Sequence, residues 1–420
     1  MYLPKYLVTS ACLAAAFATT TQAAPLYSIR DLTPAGYSSS TAYDINASGD
    51  AVGIATRFVG SATMEAYFFY DHSAGTSTVF GVGTVTPRGT IVGSGFRRAA
   101  LNDSGSIVGS AAFIGGAPES RGFIYSGGGT GTFTNLGVLA GSQATGIRPG
   151  SDAMDINNLG LATGTATSGA GIIPQENDNI DIYTGSASPI TDIDGDITKA
   201  TRGDFGRAIN NAGLIAGSNQ DNKATIFSGA AETVFLSSTS LASVGSVATD
   251  LNEVGQVTGH TVNNTSYIYN TTDSTLRILP NLDPAAGRVQ AKAINESGDT
   301  VGWGDRGAGL SNQNRGFVHD FSDNTSYILE DHTLFTGSAV PGLSDWERLR
   351  TAWGINDDGW IVGVGDRRFE GETFASPRAY LLIPVPEPAS ICLLLGLTCM
   401  TPLLVRRRAS RPARVAGALC

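Results

Sequence analysis

Three aspartates, Asp44, Asp155 and Asp250, occupy one and the same place in a recurring pattern, directly before an Ile or Leu and then an Asn. If the strands carrying them line a common channel, their carboxylates can converge and hold a hard cation through oxygen ligands. In the other copies that place is taken by Ala100, Ala208, Ala293 and Gly354. The alternative for each aspartate is a turn cap or a bond to a neighbouring strand end. A second acidic group, Asp192, Asp194 and Asp196, has the alternating carboxylates of a calcium loop, but the twelfth position is Gly203 where an EF-hand places an acid. The same insertion carries Asn177-Asp178-Asn179-Ile180-Asp181. Short Asp-rich segments also occur as plain solvated turns, so both readings stay open. Calcium is the one cofactor that these residue types suggest.

Other chemistries find less support. His72, His260, His319 and His332 are scattered, with no spacing that suits a metal. No Gly-x-Ser-x-Gly elbow is present for a serine nucleophile. A carboxylate pair for glycoside chemistry leaves no local signature, and no catalytic residue is assigned. Trp303, Trp346, Trp353 and Trp360 cluster late in the chain. They can stack on sugar rings from a surface or fill the core. The cysteines, Cys12, Cys392, Cys399 and Cys420, all lie near the termini. The body between them therefore forms no disulfide and offers no thiolate.

The elements that position these residues are set by a repeat. Ile45-Asn46, Gly49 and Gly53 return at Leu101-Asn102, Ile156-Asn157, Ile209-Asn210, Leu251-Asn252, Ile294-Asn295 and Ile355-Asn356, each time with both glycines. Spacings between successive asparagines run from 42 to 61 residues. A fixed element at such a period marks a repeat architecture. The Ile or Leu ends a strand, and the Asn side chain suits the start of a tight turn. The first Gly takes positive φ, and the second leaves room where strands crowd or bulge. An aromatic strand usually follows, as at Ala66-Tyr67-Phe68-Phe69-Tyr70 and Ser266-Tyr267-Ile268-Tyr269, and then a further one such as Leu276-Arg277-Ile278.

The last repeat runs out after Ala379-Tyr380-Leu381-Leu382, and Leu26 to Leu32 reads as the strand that it lacks. These features predict an all-β repeat protein over residues 24–384, a seven-bladed β-propeller closed by its N-terminal strand. A β-solenoid or two packed sheets is the rival, and Gly89-Thr90-Ile91-Val92-Gly93 is a half-copy without the Asn that leaves the blade count open.

The formal net charge is −10. The body is more acidic than that, because Lys5, Arg406, Arg407, Arg408, Arg411 and Arg414 lie in the terminal segments. Such a body repels nucleic acid, which is excluded as a partner.

Residues 1–23 read as a signal peptide for the Sec export machinery. Lys5 is followed by a mostly apolar run and by Thr21-Gln22-Ala23 as a cleavage site. At the other end Pro386-Glu387-Pro388 precedes an apolar run from Ile391 to Val405, and Arg406-Arg407-Arg408 follows at once. This predicts a transmembrane helix within residues 385–408 and a cytoplasmic tail over 409–420, with the body outside the inner membrane.

The C-terminal arrangement resembles the PEP-CTERM sorting signal of Gram-negative bacteria. That resemblance implies an exosortase-type transpeptidase as partner, transient residence in the inner membrane, and delivery to the cell surface or extracellular polymer. The chain after Arg408 departs from the pattern, since such proteins usually stop soon after the arginines. The repeats resemble HAF-type extracellular repeats, which implies a propeller-like β fold and no established activity. The expected function is a non-enzymatic binding or structural module for exopolysaccharide or envelope in a biofilm setting. The alternative is a glycan-active hydrolase or lyase on the same scaffold.

Overall fold

Each copy of the repeat folds into two antiparallel strands joined by its Asn-x-x-Gly turn. In the first copy the Asn46 N–H donates to the Asp50 carbonyl, and the Gly49 N–H donates to the Asn46 carbonyl. The Asn46 side-chain oxygen accepts from the backbone N–H groups of Ser48 at 3.0 Å and Asp50 at 2.9 Å. The side chain thus satisfies the donors that the tight backbone leaves over. Gly49 has φ of 81°, and every equivalent glycine is also left-handed. The second glycine has another cause. The strand register slips between Ala42 and Asp44, and a Cβ on Gly53 would collide with the Thr41 carbonyl oxygen. At this bulge the adjacent Tyr43 and Asp44 are both half-buried instead of alternating between a buried and an open face.

The computed structural model describes residues 26–385, apart from 82–84, 87–88, 92–97, 115–118, 128–130, 138–149, 168–177, 185–190, 193–204, 230, 237–238, 284–286, 308–313, 332–345 and 370–372. The fold is all-β and arranged as a β-propeller. Its sheets, numbered in chain order, span 39–80, 85–135, 151–192, 205–234, 246–278, 289–328 and 346–384. Every sheet except the second has four strands. The strand that leads into each Asn-x-x-Gly turn packs against its counterpart in the next sheet, Ala100–Leu101 serving in sheet 2, and Trp346–Ile355 packs against Ser39–Ile45. Strand Tyr27–Asp31 pairs antiparallel with Ser376–Pro384 of sheet 7, with Ile29 opposite Leu382.

The half-copy at Gly89–Ile91 makes no sheet of its own. With Val85–Thr86 it forms a hairpin on strand Ile107–Ile114, as an extension of sheet 2. Among the described residues the one helical element is a 3-10 turn at Leu329–Asp331, and no helix is long and apolar enough to cross a membrane. The expected signal peptide, the segment Pro386 to Arg408 and all the cysteines lie outside the described residues.

The apolar core is divided into clusters between neighbouring sheets. Tyr67 and Phe69 of sheet 1 meet Ile107, Phe123 and Tyr125 of sheet 2, and Val301 and Val318 of sheet 6 meet Leu349 and Tyr380 of sheet 7. Burying one such side chain contributes about 1.5–3 kcal/mol. The aromatic third strands supply most of this bulk, and Ala66 to Tyr70 is buried throughout. Because apolar matter sits between the sheets, the axis that they surround is left to polar groups.

Candidate functional site: the channel and its polar mouth

Each repeat asparagine does more than shape its own turn. The Asn46 Nδ2 donates to the carbonyl of Asn102 at 3.4 Å, Asn102 to that of Asn157 at 3.0 Å, and Asn157 to that of Asn210 at 2.9 Å. Asn210 donates to Asn252 at 3.4 Å, Asn252 to Asn295 at 2.9 Å, Asn295 to Asn356 at 3.3 Å, and Asn356 returns to Asn46 at 3.1 Å. All of these asparagines are buried. A buried polar side chain without its partner costs about 1–3 kcal/mol, so the relay ties each turn to the next.

The residue after each asparagine builds a second, outer belt. Backbone N–H groups of Ala47, Asp103 and Asn158 donate to the side chains of Asp103, Asn158 and Asn211 at 2.9–3.0 Å. Those of Asn211, Glu253 and Glu296 donate to Glu253, Glu296 and Asp357 at 2.8–3.0 Å. The belt stops there, because the next turn carries Ala47 and has no side-chain acceptor.

The expected channel aspartates line the mouth, a cavity of about 250 Å³ bounded by the turn residues. Each uses one oxygen on its own strand and one on the next sheet. Asp44 accepts from Ile45 N at 2.8 Å and Leu101 N at 2.9 Å. Asp155 accepts from Ile156 and Ile209 at 2.8 Å, and Asp250 from Leu251 at 2.9 Å and Ile294 at 2.8 Å. Burial pushes the Asp44 and Asp250 carboxyls up to about 7, and the nearby negative charge of Asp155 adds to it. The backbone donors and the Arg98 charge pull the other way. Burial also raises Asp155. Among the described residues no three His, Cys, Asp or Glu side chains form a group that suits a metal. Each oxygen of Asp44, Asp155 and Asp250 thus accepts one backbone N–H, the bond to a neighbouring strand end that was one of the two readings of these residues. The side chains of Asp192, Asp194 and Asp196 lie outside the described residues.

Further along the channel the side chains change character. The position two before each conserved-pattern Ile or Leu holds Tyr43, Arg207, Lys292 and Trp353 in sheets 1, 4, 6 and 7, and Arg98 stands three before Leu101. The Tyr43 and Trp353 ring centroids lie 5.5 Å apart, and Lys292 Nζ sits 5.2 Å from the Trp353 ring. Lys292 Nζ also donates to Gln290 Oε1 at 3.0 Å. All of these except Trp353 escaped sequence reasoning. The available signal was that this is the most chemically varied position in an otherwise uniform motif.

The remaining expectations divide. Trp346 is buried between sheets 6 and 7, Trp360 packs between sheets 7 and 1 against His72 with ring centroids 4.5 Å apart, and Trp353 lies half-buried beside Tyr43 and Lys292. Trp303 lies beneath the Arg288 guanidinium, 5.9 Å from its ring. His319 is buried against Ser326, at 3.0 Å from its Oγ. His332 is outside the described residues.

Fold and site together define a β-propeller protein with a hydrogen-bonded mouth and a channel that mixes cations with aromatics. A family model described as a protein of unknown function (DUF3466) matches residues 12–152. No curated protein matches the chain. Similar solved structures include YCF48 bound to D1 peptide, at 11% identity and a TM-score of 0.45, covering 87% of this chain and 98% of that one. YCF48 from Cyanidioschyzon merolae is similar at 9% identity and a TM-score of 0.46, covering 84% of this chain and 98% of its own. An oligogalacturonate lyase from Vibrio parahaemolyticus is similar at 11% identity and a TM-score of 0.49, covering 86% of this chain and 98% of its own.

Proposed function

We propose that the chain is an exported, surface- or matrix-associated module that binds or scaffolds extracellular polysaccharide or another envelope component without turning it over. One observation carries this reading: the division of labour among the channel's polar groups. Asp44, Asp155 and Asp250 are consumed in lacing the sheets together. The buried atoms without a hydrogen-bond partner among the described residues include the Nε of Arg98 and Arg207, Nδ1 of His260 and Nε1 of Trp353. Unspent groups of that kind serve recognition, whereas an acid–base centre needs free carboxyls.

The scaffold in this reading is a seven-bladed ring, with Tyr27–Asp31 completing the last blade. Support comes from the pairing of that strand with Ser376–Pro384 and from the return of the asparagine relay to Asn46. Export rests on the signal-like start and on the Pro386-Glu387-Pro388 and Arg406-Arg407-Arg408 elements, with Sec and an exosortase-type transpeptidase as the machinery. Calcium, in this reading, enters through Asp192, Asp194 and Asp196 or through Asp44, Asp155 and Asp250.

A second reading, a glycan-active hydrolase or lyase, draws on the Asp44 and Asp250 carboxyls, which titrate near neutrality as a general acid or base would. One experiment separates the two. The purified full-length protein is mixed with extracted extracellular polysaccharide, retention is followed by co-sedimentation, and the soluble fraction is analysed for fragments. Retention with the polymer intact is expected. Released fragments, abolished by Asp44→Asn or Asp250→Asn, would move the protein to the enzyme class, and neither retention nor fragments would sink the binding reading.

A further inference from the structure

The chain as a whole is acidic, yet one stretch of the channel wall gathers positive charge. Between sheets 4, 5 and 6 a cavity of about 470 Å³ is lined by Phe205, Arg207, Asn222, His260, Asn264 and Gln290, with other residues beside them. Gln290 links it to Lys292, and Gln290 Nε2 donates to Asn264 Oδ1 at 2.5 Å. The Arg207 guanidinium stands 5.9 Å from the Phe205 ring. Burial and then the charge of Arg98 lower Arg207 to about 10, and burial, Arg98 and Arg207 together lower Lys292 to about 8. Desolvated like charges beside one another cost stability unless an opposite charge joins them. Arg207 Nε and His260 Nδ1 are buried with no partner among the described residues.

The histidine narrows the ligand. Burial, then the Lys292 and Arg207 charges, depress it to about 3, so the ring is neutral, while the Ala291 backbone acts on it as a hydrogen-bond partner. A neutral imidazole keeps one bare nitrogen, so Nδ1, buried without a partner among the described residues, can accept from a ligand hydroxyl. The pocket thus offers cationic donors, an amide pair, an apolar wall and a waiting acceptor. Inorganic sulfate has nothing to donate to that acceptor, whereas an acidic sugar has hydroxyls.

We propose that this pocket recognises an acidic sugar unit, whose carboxylate or sulfate accepts hydrogen bonds from Arg207, whose hydroxyl donates to His260 Nδ1, and whose ring lies against Phe205. The proposal rests on the glycan-binding reading above and names the ligand class of that module.

Calorimetry on the purified full-length protein, paired with the NMR signals of the His260 ring, tests it. The probes are glucuronate, glucose 6-sulfate, glucose and inorganic sulfate. At least one acidic sugar should bind and shift the His260 signals, glucose should not bind, and inorganic sulfate should bind at least tenfold more weakly. Which acid wins identifies a carboxylate or a sulfate ligand. Arg207→Met should weaken binding at least tenfold while its unfolding midpoint stays level or rises; Lys292→Met serves the same purpose if that variant does not fold. No binding of either acid at millimolar concentration overturns the proposal, as does equal binding of glucose or an affinity unchanged in both variants. Retention on intact polysaccharide that survives Arg207→Met overturns the pocket while sparing the proposed function.

Discussion

The mouth of the channel and the pocket between sheets 4, 5 and 6 are built on opposite rules. At the mouth nearly every polar group has a partner, and the partner is backbone. Asn157 alone accepts from Leu159 N and Leu161 N and donates to Asn210 O. In the pocket, Arg207 and His260 keep buried nitrogens without one. The difference teaches where to look in a repeat protein. Residues that recur in every copy hold the copies together, and the position two before the Ile or Leu, which varies, brings Arg207 to the pocket.

Breaking one site on each side should separate the two roles most sharply. Asn157→Ala removes two acceptor bonds and one donor bond from buried backbone and should cost about 3 kcal/mol in urea unfolding. Arg207→Met removes a desolvated cation and should leave stability unchanged or higher. Equal losses in the two variants would erase the distinction.

The regions should also respond to pH with opposite sign. Asp44 and Asp250 have folded values raised to about 7, so their contribution is fully present below the unfolded value near 4 and is lost as pH rises through 7. His260 and His319 have folded values depressed to about 3 and 4, chiefly by burial, so their contribution is present above the unfolded value near 6.5 and is lost as pH falls through the folded values. Wild-type stability mixes both. The difference between wild type and Asp250→Asn isolates one, and it should shrink as pH rises from 4 to 7. A difference independent of pH would mean that the mouth carboxyls titrate normally.

The smallest expected effect concerns the interrupted outer belt. Ala47→Asn supplies an acceptor for the Asp357 N–H without adding charge, and should raise stability by about 0.5 kcal/mol in the same assay. No gain would show that the belt adds nothing beyond the asparagine relay.

Much of this molecule was legible in the chain itself. The Asn-x-x-Gly unit specified its turn, because the asparagine bonds within four residues and the glycine's φ is a local demand. The second glycine announced crowding, and the aromatic strands announced the layers between sheets. Asp44, Asp155 and Asp250 were grouped from the repeat, with a bond to a neighbouring strand end as one reading, but the strand itself was not legible. Whether a carboxylate meets a cation or a backbone N–H depends on which strand lies beside it, and Leu101 is 57 positions from Asp44. The asparagine relay is hidden for the same reason, with Asn356 and Asn46 separated by 310 positions. Arg207 and Lys292 share one place in the repeat, but nothing in the sequence joins them to Arg98 or His260. Local chemistry determined the turns, the strands and their repetition; only the packing of distant sheets around one axis decided which polar groups were satisfied and which were left for a ligand.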